Sequence, residues 1–153
     1  MRALELRIPP PVIVFAAGLL MWLVARWMPD LRFDVREQSL AAIAAASLGA
    51  IFCVAGLLEF RRARTTVNPL KPAASSSLVT RGVYRLSRNP MYLGFALMLL
   101  GWAVFLGNTL SLLVLAGFIY YLNRFQIMPE ERALGRIFGP EFEAYCGKVR
   151  RWI

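Results

Sequence analysis

Residues 89–123, NPMYLGFALMLLGWAVFLGNTLSLLVLAGFIYYLN, carry no charged side chain over 35 positions. A single helix of that length would be about 52 Å long, whereas the hydrocarbon core of a bilayer is roughly 30 Å thick and needs about 20 apolar residues. Gly107-Asn108, in the middle of the run, is a turn-forming pair. The stretch therefore predicts two membrane-spanning helices, at 90–106 and 109–128, joined by a tight hairpin.

Two more apolar segments precede this hairpin, at 10–28 and 38–60. Apolar residues make up 58% of the chain and charged residues 18%, a balance unlike that of water-soluble domains. Three prolines, Pro9 to Pro11, interrupt the N-terminal apolar stretch, so we expect an uncleaved first span. The sequence predicts one all-α domain over 1–153, with four transmembrane helices and a cytoplasmic helical tail over 129–153.

The distribution of lysine and arginine predicts the orientation of the four spans. The 61–88 loop has seven of these residues and the segment from 124 onward has six, while the 107–108 turn has none. Because positive charge is retained on the cytoplasmic side, both termini and this loop are expected in the cytoplasm, in a plasma or inner membrane. The net charge of +9 is explained in the same way, so we expect membrane lipids as partners and no nucleic acid.

The sequence limits the kinds of chemistry available. It contains no histidine, and its two cysteines, Cys53 and Cys146, show no pairing or metal-binding pattern. No metal site is predicted, so any reaction must rely on carboxylates, hydroxyls or an organic cofactor.

Two segments expected on the cytoplasmic side are candidates for function: the long loop at 61–89 and the tail at 129–153. Long connections without secondary structure are often functional. In the tail, apolar residues recur at helical spacing and Gly139-Pro140 divides it into two short helices. Glu130 lies on the apolar face with Leu134 and Ile137, where a carboxylate needs a cation or a hydrogen-bond donor. Alternatively, Glu130 and Glu131 simply complement the helix dipole.

Two blocks of this sequence resemble the isoprenylcysteine carboxyl methyltransferase and phospholipid methyltransferase superfamily. They are LVTRGVYRLSRNPMYLG, over 78–94, and, about 40 residues later, PEERAL with FGPEFEAYCGKVRR. The resemblance covers residues 68–153, and the order and spacing of the blocks are more specific than either block alone. It implies an integral membrane methyltransferase that uses S-adenosylmethionine (SAM), bound at the cytoplasmic side.

The resemblance also implies which residues contact the cofactor. They come from the loop, the start of the third span and the first glutamate of the tail: Ser76, Ser77, Leu78, Val79, Tyr84, Asn89, Pro90, Met91, Tyr92 and Glu130. Asn89 stands where the family usually has histidine, and Gln126 stands where some relatives have a basic residue. Glu130 is expected to meet the ammonium group of the cofactor, because a carboxylate is its natural partner.

The remaining roles are hypotheses. Arg124 or Glu131 would orient the acceptor head group or take its proton, and Tyr84 and Tyr92 would face the adenine or the sulfonium. Alternatively, Arg124 extends to the membrane interface and the tyrosines anchor there. The methyl acceptor stays open between a prenylcysteine carboxylate, a phospholipid amine, a small thiol and another lipid.

Two other functional classes stay open, as does the oligomeric state. One is a non-enzymatic membrane scaffold or transporter subunit, and the other is a family member that has lost activity. Neither a scaffold nor a transporter subunit accounts for a glutamate on an apolar stripe or for both sequence blocks at their spacing.

Overall fold

The computed structural model describes residues 5–34, 36–63 and 77–153. Within these residues the chain is almost entirely helical, which confirms the predicted all-α class. The α-helices are α1 (Pro10–Trp27), α2 (Gln38–Arg62), α3 (Pro90–Leu106), α4 (Thr109–Leu122), α5 (Met128–Phe138) and α6 (Pro140–Lys148). Short 3₁₀ turns lie at Pro29–Leu31 and Gly82–Arg85.

Three helical stretches are long and apolar enough to cross a membrane: Pro10–Trp27, Gln38–Arg62 and Thr109–Phe138. The helix α3 is also apolar but has only 17 residues, because the hairpin turn at Gly107 ends it. These lengths agree with the predicted pattern of apolar helices, and α3 has the predicted bounds.

The fourth helix differs from the prediction at its end. A π-helical segment, Asn123–Ile127, joins α4 to α5, so the helix that was expected to end near 128 continues to Phe138. Pro129 has no N–H to donate to the carbonyl of Phe125, four residues earlier. That carbonyl instead accepts a hydrogen bond from the backbone N–H of Leu6, at 3.0 Å. The N-terminal segment thus satisfies a carbonyl that the proline leaves free.

The helix α3 lies at the centre of the bundle, packed against α2 on one side and against α1 and α4 on the other. The contact with α2 is close because glycines face each other. A Cβ atom placed on Gly94 would lie 2.5 Å from the carbonyl oxygen of Gly49, and one on Gly101 would lie 2.6 Å from that of Ala42. Small residues at such contacts allow two helix backbones to approach in a bilayer.

The two ends of the bundle are closed by different segments. At one end, Gly107 adopts a left-handed conformation (φ +59°) in the hairpin turn, and its carbonyl accepts from the N–H of Phe33 at 2.8 Å. At the other end, Leu6 meets Phe125 and the N–H of Arg88 donates to the carbonyl of Arg150 at 3.0 Å. At this end, opposite the hairpin, the N-terminal segment therefore meets the helical segment that follows α4, and the C-terminal segment meets the residues just before α3.

Candidate active site

A tyrosine and a glutamate from distant parts of the sequence meet where α3 begins. Pro90 and Tyr92 lie in the first turn of α3, and Glu130 lies in the first turn of α5. The hydroxyl of Tyr92 donates a hydrogen bond to Oε1 of Glu130 at 2.5 Å. Tyr92 is only 7% exposed, so this contact lies inside the protein.

Glu130 itself is partly buried. Among the residues that the structure describes, no lysine or arginine forms an ion pair with it, and Tyr92 is its side-chain hydrogen-bond partner. A carboxylate shielded from water is costly without a compensating cation. The arrangement therefore leaves Glu130 able to receive a positively charged group of a ligand.

Tyr84 forms a second wall of the same region. Its ring packs edge-on against Phe60 at the end of α2, with 5.4 Å between the centroids, and its carbonyl accepts from the Tyr145 hydroxyl at 2.6 Å. Burial raises the pKa of Tyr84 well above its usual range, and the nearby Tyr145 and Glu130 add to the rise. Burial likewise raises the pKa of Tyr145. Both phenols therefore stay neutral and act as hydrogen-bonding and packing groups.

Glu131 has a very different environment from its neighbour. It accepts two hydrogen bonds from the guanidinium of Arg151, at 2.6 and 3.1 Å, and forms an ion pair with Arg88 at 3.0 Å. The hydrogen bonds to Glu131 raise the pKa of Arg151 above its usual value. Glu131 was predicted to be a candidate catalytic residue, and the structure places it between two arginines.

The residues just before α3 contact the C-terminal end of the chain. The Asn89 side-chain amide donates to the carbonyl of Arg151 at 3.0 Å, and the Ser87 hydroxyl donates to the same oxygen at 3.3 Å. Pro90 is buried, and the carbonyl of Met91 accepts a weak bond from the Cys53 thiol at 3.5 Å. Asn89 is thus next to the Tyr92–Glu130 pair, but its amide is directed to the backbone.

Arg124 lies in the π-helical segment and contacts the N-terminal segment. Its guanidinium is 3.2 Å from Glu5, which also accepts from Arg132 at 2.5 Å. Two residues later, the side chain of Gln126 is fully buried and donates to the carbonyl of Ile8 at 2.8 Å. The position at which a basic residue was expected in some relatives is therefore occupied here by a buried amide, and the nearby charge of Arg124 is balanced by Glu5.

The predicted cofactor loop is only partly covered by the structure. Ser76 lies outside the described residues. Ser77, Leu78 and Val79 are partly buried, and the Ser77 hydroxyl donates to the carbonyl of Ala63 at the end of α2, at 3.4 Å. Of these three residues, Ser77 thus contacts the C-terminal end of α2.

Sequence reasoning did not single out several residues at this end of the bundle. Arg88 belongs to a group of arginines, at 81–88, that were attributed mostly to membrane orientation and otherwise to the cofactor carboxylate, while Arg151 and Glu5 were not considered as site residues. Two polar atoms here, Nε of Arg88 and Oε1 of Gln126, are buried without a hydrogen-bond partner in the described part of the chain. One feature of the sequence could have indicated a role for Arg88, namely its position directly before the Asn-Pro pair at which α3 begins.

Comparisons with known proteins agree with this architecture. The profile of the phospholipid methyltransferase family matches residues 38–141, which run from the start of α2 into α6. That range contains both the Tyr92–Glu130 pair and Glu131. No solved structure matches the chain.

Similar proteins include three from distant organisms. A protein-S-isoprenylcysteine O-methyltransferase of Saccharomyces cerevisiae is 33% identical over 131 residues, 79% of this chain and 53% of that protein. A probable protein-S-isoprenylcysteine O-methyltransferase of Oryza sativa is 40% identical over 72 residues, 47% of this chain and 38% of that protein. An uncharacterized protein of Haemophilus influenzae is 48% identical over 63 residues, 41% of this chain and all of that protein.

These alignments cover about half or less of the two isoprenylcysteine methyltransferases. The profile match, however, extends over about two thirds of the chain and includes helices α2 to α5 with the residues at the start of α3. On these grounds the chain belongs to the phospholipid methyltransferase family.

Proposed function

We propose that this protein is a SAM-dependent membrane methyltransferase, with the cofactor bound beside Glu130 at the cytoplasmic end of the bundle. The observation that carries the proposal is the Tyr92–Glu130 pair: a partly buried carboxylate, held by a hydroxyl, without a cationic partner among the described residues. The amino acid part of SAM carries an ammonium group, which would supply the positive partner that the carboxylate of Glu130 lacks among the described residues. The described residues therefore fit this cofactor.

Glu130 binds the ammonium group of the cofactor in this proposal, and Tyr92 sets the direction of the carboxylate. The phenol of Tyr92 uses its only proton for Glu130, so its ring is fixed at the start of α3. In this proposal Tyr84, Asn89, Pro90 and Met91 also contact the cofactor, together with Ser77, Leu78 and Val79 of the preceding loop and with Ser76, which lies outside the described residues. Bound there, SAM supplies an activated methyl group on a positively charged sulfur.

The contribution of the protein to the reaction is alignment and exclusion of water. An in-line displacement gains most of its rate from holding the reacting groups in position, and a dry site also prevents hydrolysis. The helices around the site expose apolar surface, so a lipophilic acceptor reaches it from the bilayer and the cofactor reaches it from the cytoplasm. No histidine is required, in accordance with the composition.

The acceptor is proposed to be a lipophilic or small molecule, as the names of the similar methyltransferases suggest. Arg124 would orient an anionic acceptor group after leaving Glu5. An Arg124→Ala variant is then expected to raise KM for the acceptor and leave cofactor affinity unchanged.

The test of the cofactor site is SAM binding by calorimetry, with purified protein in detergent. We expect Glu130→Gln to weaken binding by about 10- to 100-fold, because a hydrogen bond to a charged group is worth about 1.5–3 kcal/mol. Tyr92→Phe keeps the ring and loses the hydroxyl, so its effect should be smaller, about tenfold.

The matched control is Glu143→Gln, which removes a carboxylate from the exposed face of α6. It should bind SAM like the unaltered protein. Equal affinity in Glu130→Gln and Glu143→Gln would refute the site, and absence of SAM binding to the unaltered protein would refute the function. Incubating native membranes with methyl-labelled SAM then identifies the acceptor from the labelled product.

A further inference from the structure

The last residues of the chain form a strap across the candidate site. We call residues 150–152 the C-terminal strap. The carbonyl of Arg150 accepts from the N–H of Arg88, and the carbonyl of Arg151 accepts from Asn89 and Ser87. The strap therefore runs along the residues that lead into α3, with backbone contacts to three of them.

The strap also reaches the π-helical segment on the other side. The indole N–H of Trp152 donates to Oδ1 of Asn123 at 3.2 Å, and the ring packs against the hydrophobic core of the bundle. Through Arg88 and Trp152, the strap connects the start of α3 with the junction between α4 and α5. Tyr92 lies in the first of these elements, and the second leads directly into the first turn of α5, which carries Glu130.

Glu131 is the centre of this connection. Its two carboxylate oxygens bind Arg151 from the strap and Arg88 from the segment before α3, and we call these three residues the clasp. The side chains of Arg88 and Glu131 are only 14% and 19% exposed, so water screens their ion pair weakly. Both carboxylate oxygens of Glu131 are thus already bound to guanidinium groups, which leaves its side chain engaged in the protein's own contacts.

We propose that Glu131 is a positioning residue: the clasp holds the strap against the start of α3 and thereby fixes Glu130 opposite Tyr92. Glu131 is the next residue to Glu130 in the first turn of α5, so its anchoring sets the rotation of that turn. The inference rests on the proposed function for its effect on cofactor affinity. The structural part, that Glu131 retains the strap, stands independently of the cofactor.

The experiment compares four variants of the full chain in detergent: Glu131→Gln and Arg151→Gln, with Glu143→Gln and Arg150→Gln as matched controls. The Arg150 side chain is exposed and has no ion pair in the described residues, although its carbonyl belongs to the strap. Hydrogen exchange of the peptides covering 81–89 and 149–153 reports on the strap. Calorimetry gives the dissociation constant for SAM, and a methyl-transfer assay gives turnover at saturating SAM.

We expect the two clasp variants to exchange faster at both peptides and to bind SAM about tenfold more weakly, while both controls stay unchanged. The double variant should be little worse than the more affected single variant, because the two changes break the same contact. Arg151→Lys keeps the charge but loses the two-pronged geometry, so it should be intermediate and provides a milder change if Arg151→Gln folds poorly.

Three outcomes are decisive. Unchanged exchange in Glu131→Gln overturns the clasp. Normal SAM affinity with lost turnover in Glu131→Gln also overturns it, since that result identifies a proton acceptor and not a positioning residue. Faster exchange in a protein that does not bind SAM at all supports the clasp and refutes the proposed function, so the two failures are distinguishable.

Discussion

Glu130 and Glu131 are adjacent in sequence and differ completely in their partners. One accepts a single hydrogen bond from a neutral phenol, and the other is bound by two guanidinium groups. On a helix, neighbouring residues are separated by about 100°, so the two carboxylates point to different surfaces. Composition alone treats them as one acidic pair, whereas their different surroundings support the different roles proposed for them, binding for Glu130 and positioning for Glu131.

Substitution of a single residue, Asn108, leads to a testable prediction about stability. This residue is fully buried at the hairpin turn, where Oδ1 accepts from the N–H of Leu110 and Nδ2 donates to the carbonyl of Met28 at 2.8 Å. We expect Asn108→Ala to lower stability by about 1–3 kcal/mol, through loss of the helix cap and of the contact to α1. Thermal unfolding in detergent measures the change.

Asn108→Ser is the matched variant, because serine keeps the capping oxygen and loses the amide that reaches Met28. It should fall between Asn108→Ala and the unaltered protein. Identical unfolding temperatures for all three proteins would show that these hydrogen bonds contribute nothing to the stability of the hairpin.

Among the elements, the pair formed by α2 and α3 is the most constrained. Gly49, Gly94 and Gly101 bring the two backbones together, and the large apolar residues of α2 point outward. The exposed residues on that outer surface include Leu40, Ile43, Ile51 and Val54. Such an apolar surface on a long helix is expected to face lipid, since the bilayer is the apolar environment that accommodates it.

Gly94→Ala tests this packing. The added methyl group would lie 2.5 Å from Sγ of Cys53 and 2.5 Å from the carbonyl oxygen of Gly49, and the second of these is backbone that moves only with the helix. We expect a loss of about 1–3 kcal/mol, the usual cost of overpacking. The measurement is the unfolding temperature in detergent.

Gly117→Ala in α4 is the control, because nothing lies within 4 Å of the added methyl group. It should be neutral or stabilising by about 0.5–1 kcal/mol, since alanine favours the helix over glycine. If Gly94→Ala unfolded at the same temperature as Gly117→Ala, the close contact between α2 and α3 would be refuted.

At the scale of the whole molecule, the functional groups gather at one end of the bundle and the hairpin closes the other. Glu5, the start of α3 and the strap meet at the first end, while the turn at Gly107 meets Phe33 at the second. The ion pairs that Glu5 and Glu131 form with arginines also lie at the first end. This asymmetry places the candidate site at the side that the basic residues predict to be cytoplasmic.

Thiol accessibility in intact cells tests that orientation. In a background with Cys53→Ala and Cys146→Ala, one cysteine is introduced at Asp30, in the 3₁₀ turn after α1, or at Glu143, in α6; both positions are exposed. We expect a membrane-impermeant reagent to label the first directly and the second only after permeabilisation, because lysine and arginine are retained in the cytoplasm. The reverse labelling pattern would show that the protein has the opposite orientation in the membrane. Equal labelling of the two cysteines would contradict their placement on opposite sides of the membrane.

The sequence by itself determined the class of the protein, the hairpin within the 35-residue uncharged run, the break at Gly139-Pro140 and the choice of Glu130 as a candidate site residue. These features depend on local properties: the length of an apolar run, the conformations open to glycine and proline, and the position of one carboxylate on a helix face. Each is encoded within a few turns of chain, so hydropathy and spacing suffice to find it.

Only the tertiary structure decided which groups meet. Tyr92 and Glu130 are 38 positions apart, and Arg124 and Glu5 are 119 apart. The order of the helices around α3 brings these pairs together, and that order follows from how the glycine surfaces of α2 and α3 fit, which no local pattern specifies. The extension of the fourth helix to Phe138 has the same origin, because the carbonyl that Pro129 leaves free is satisfied by a residue from the other end of the sequence.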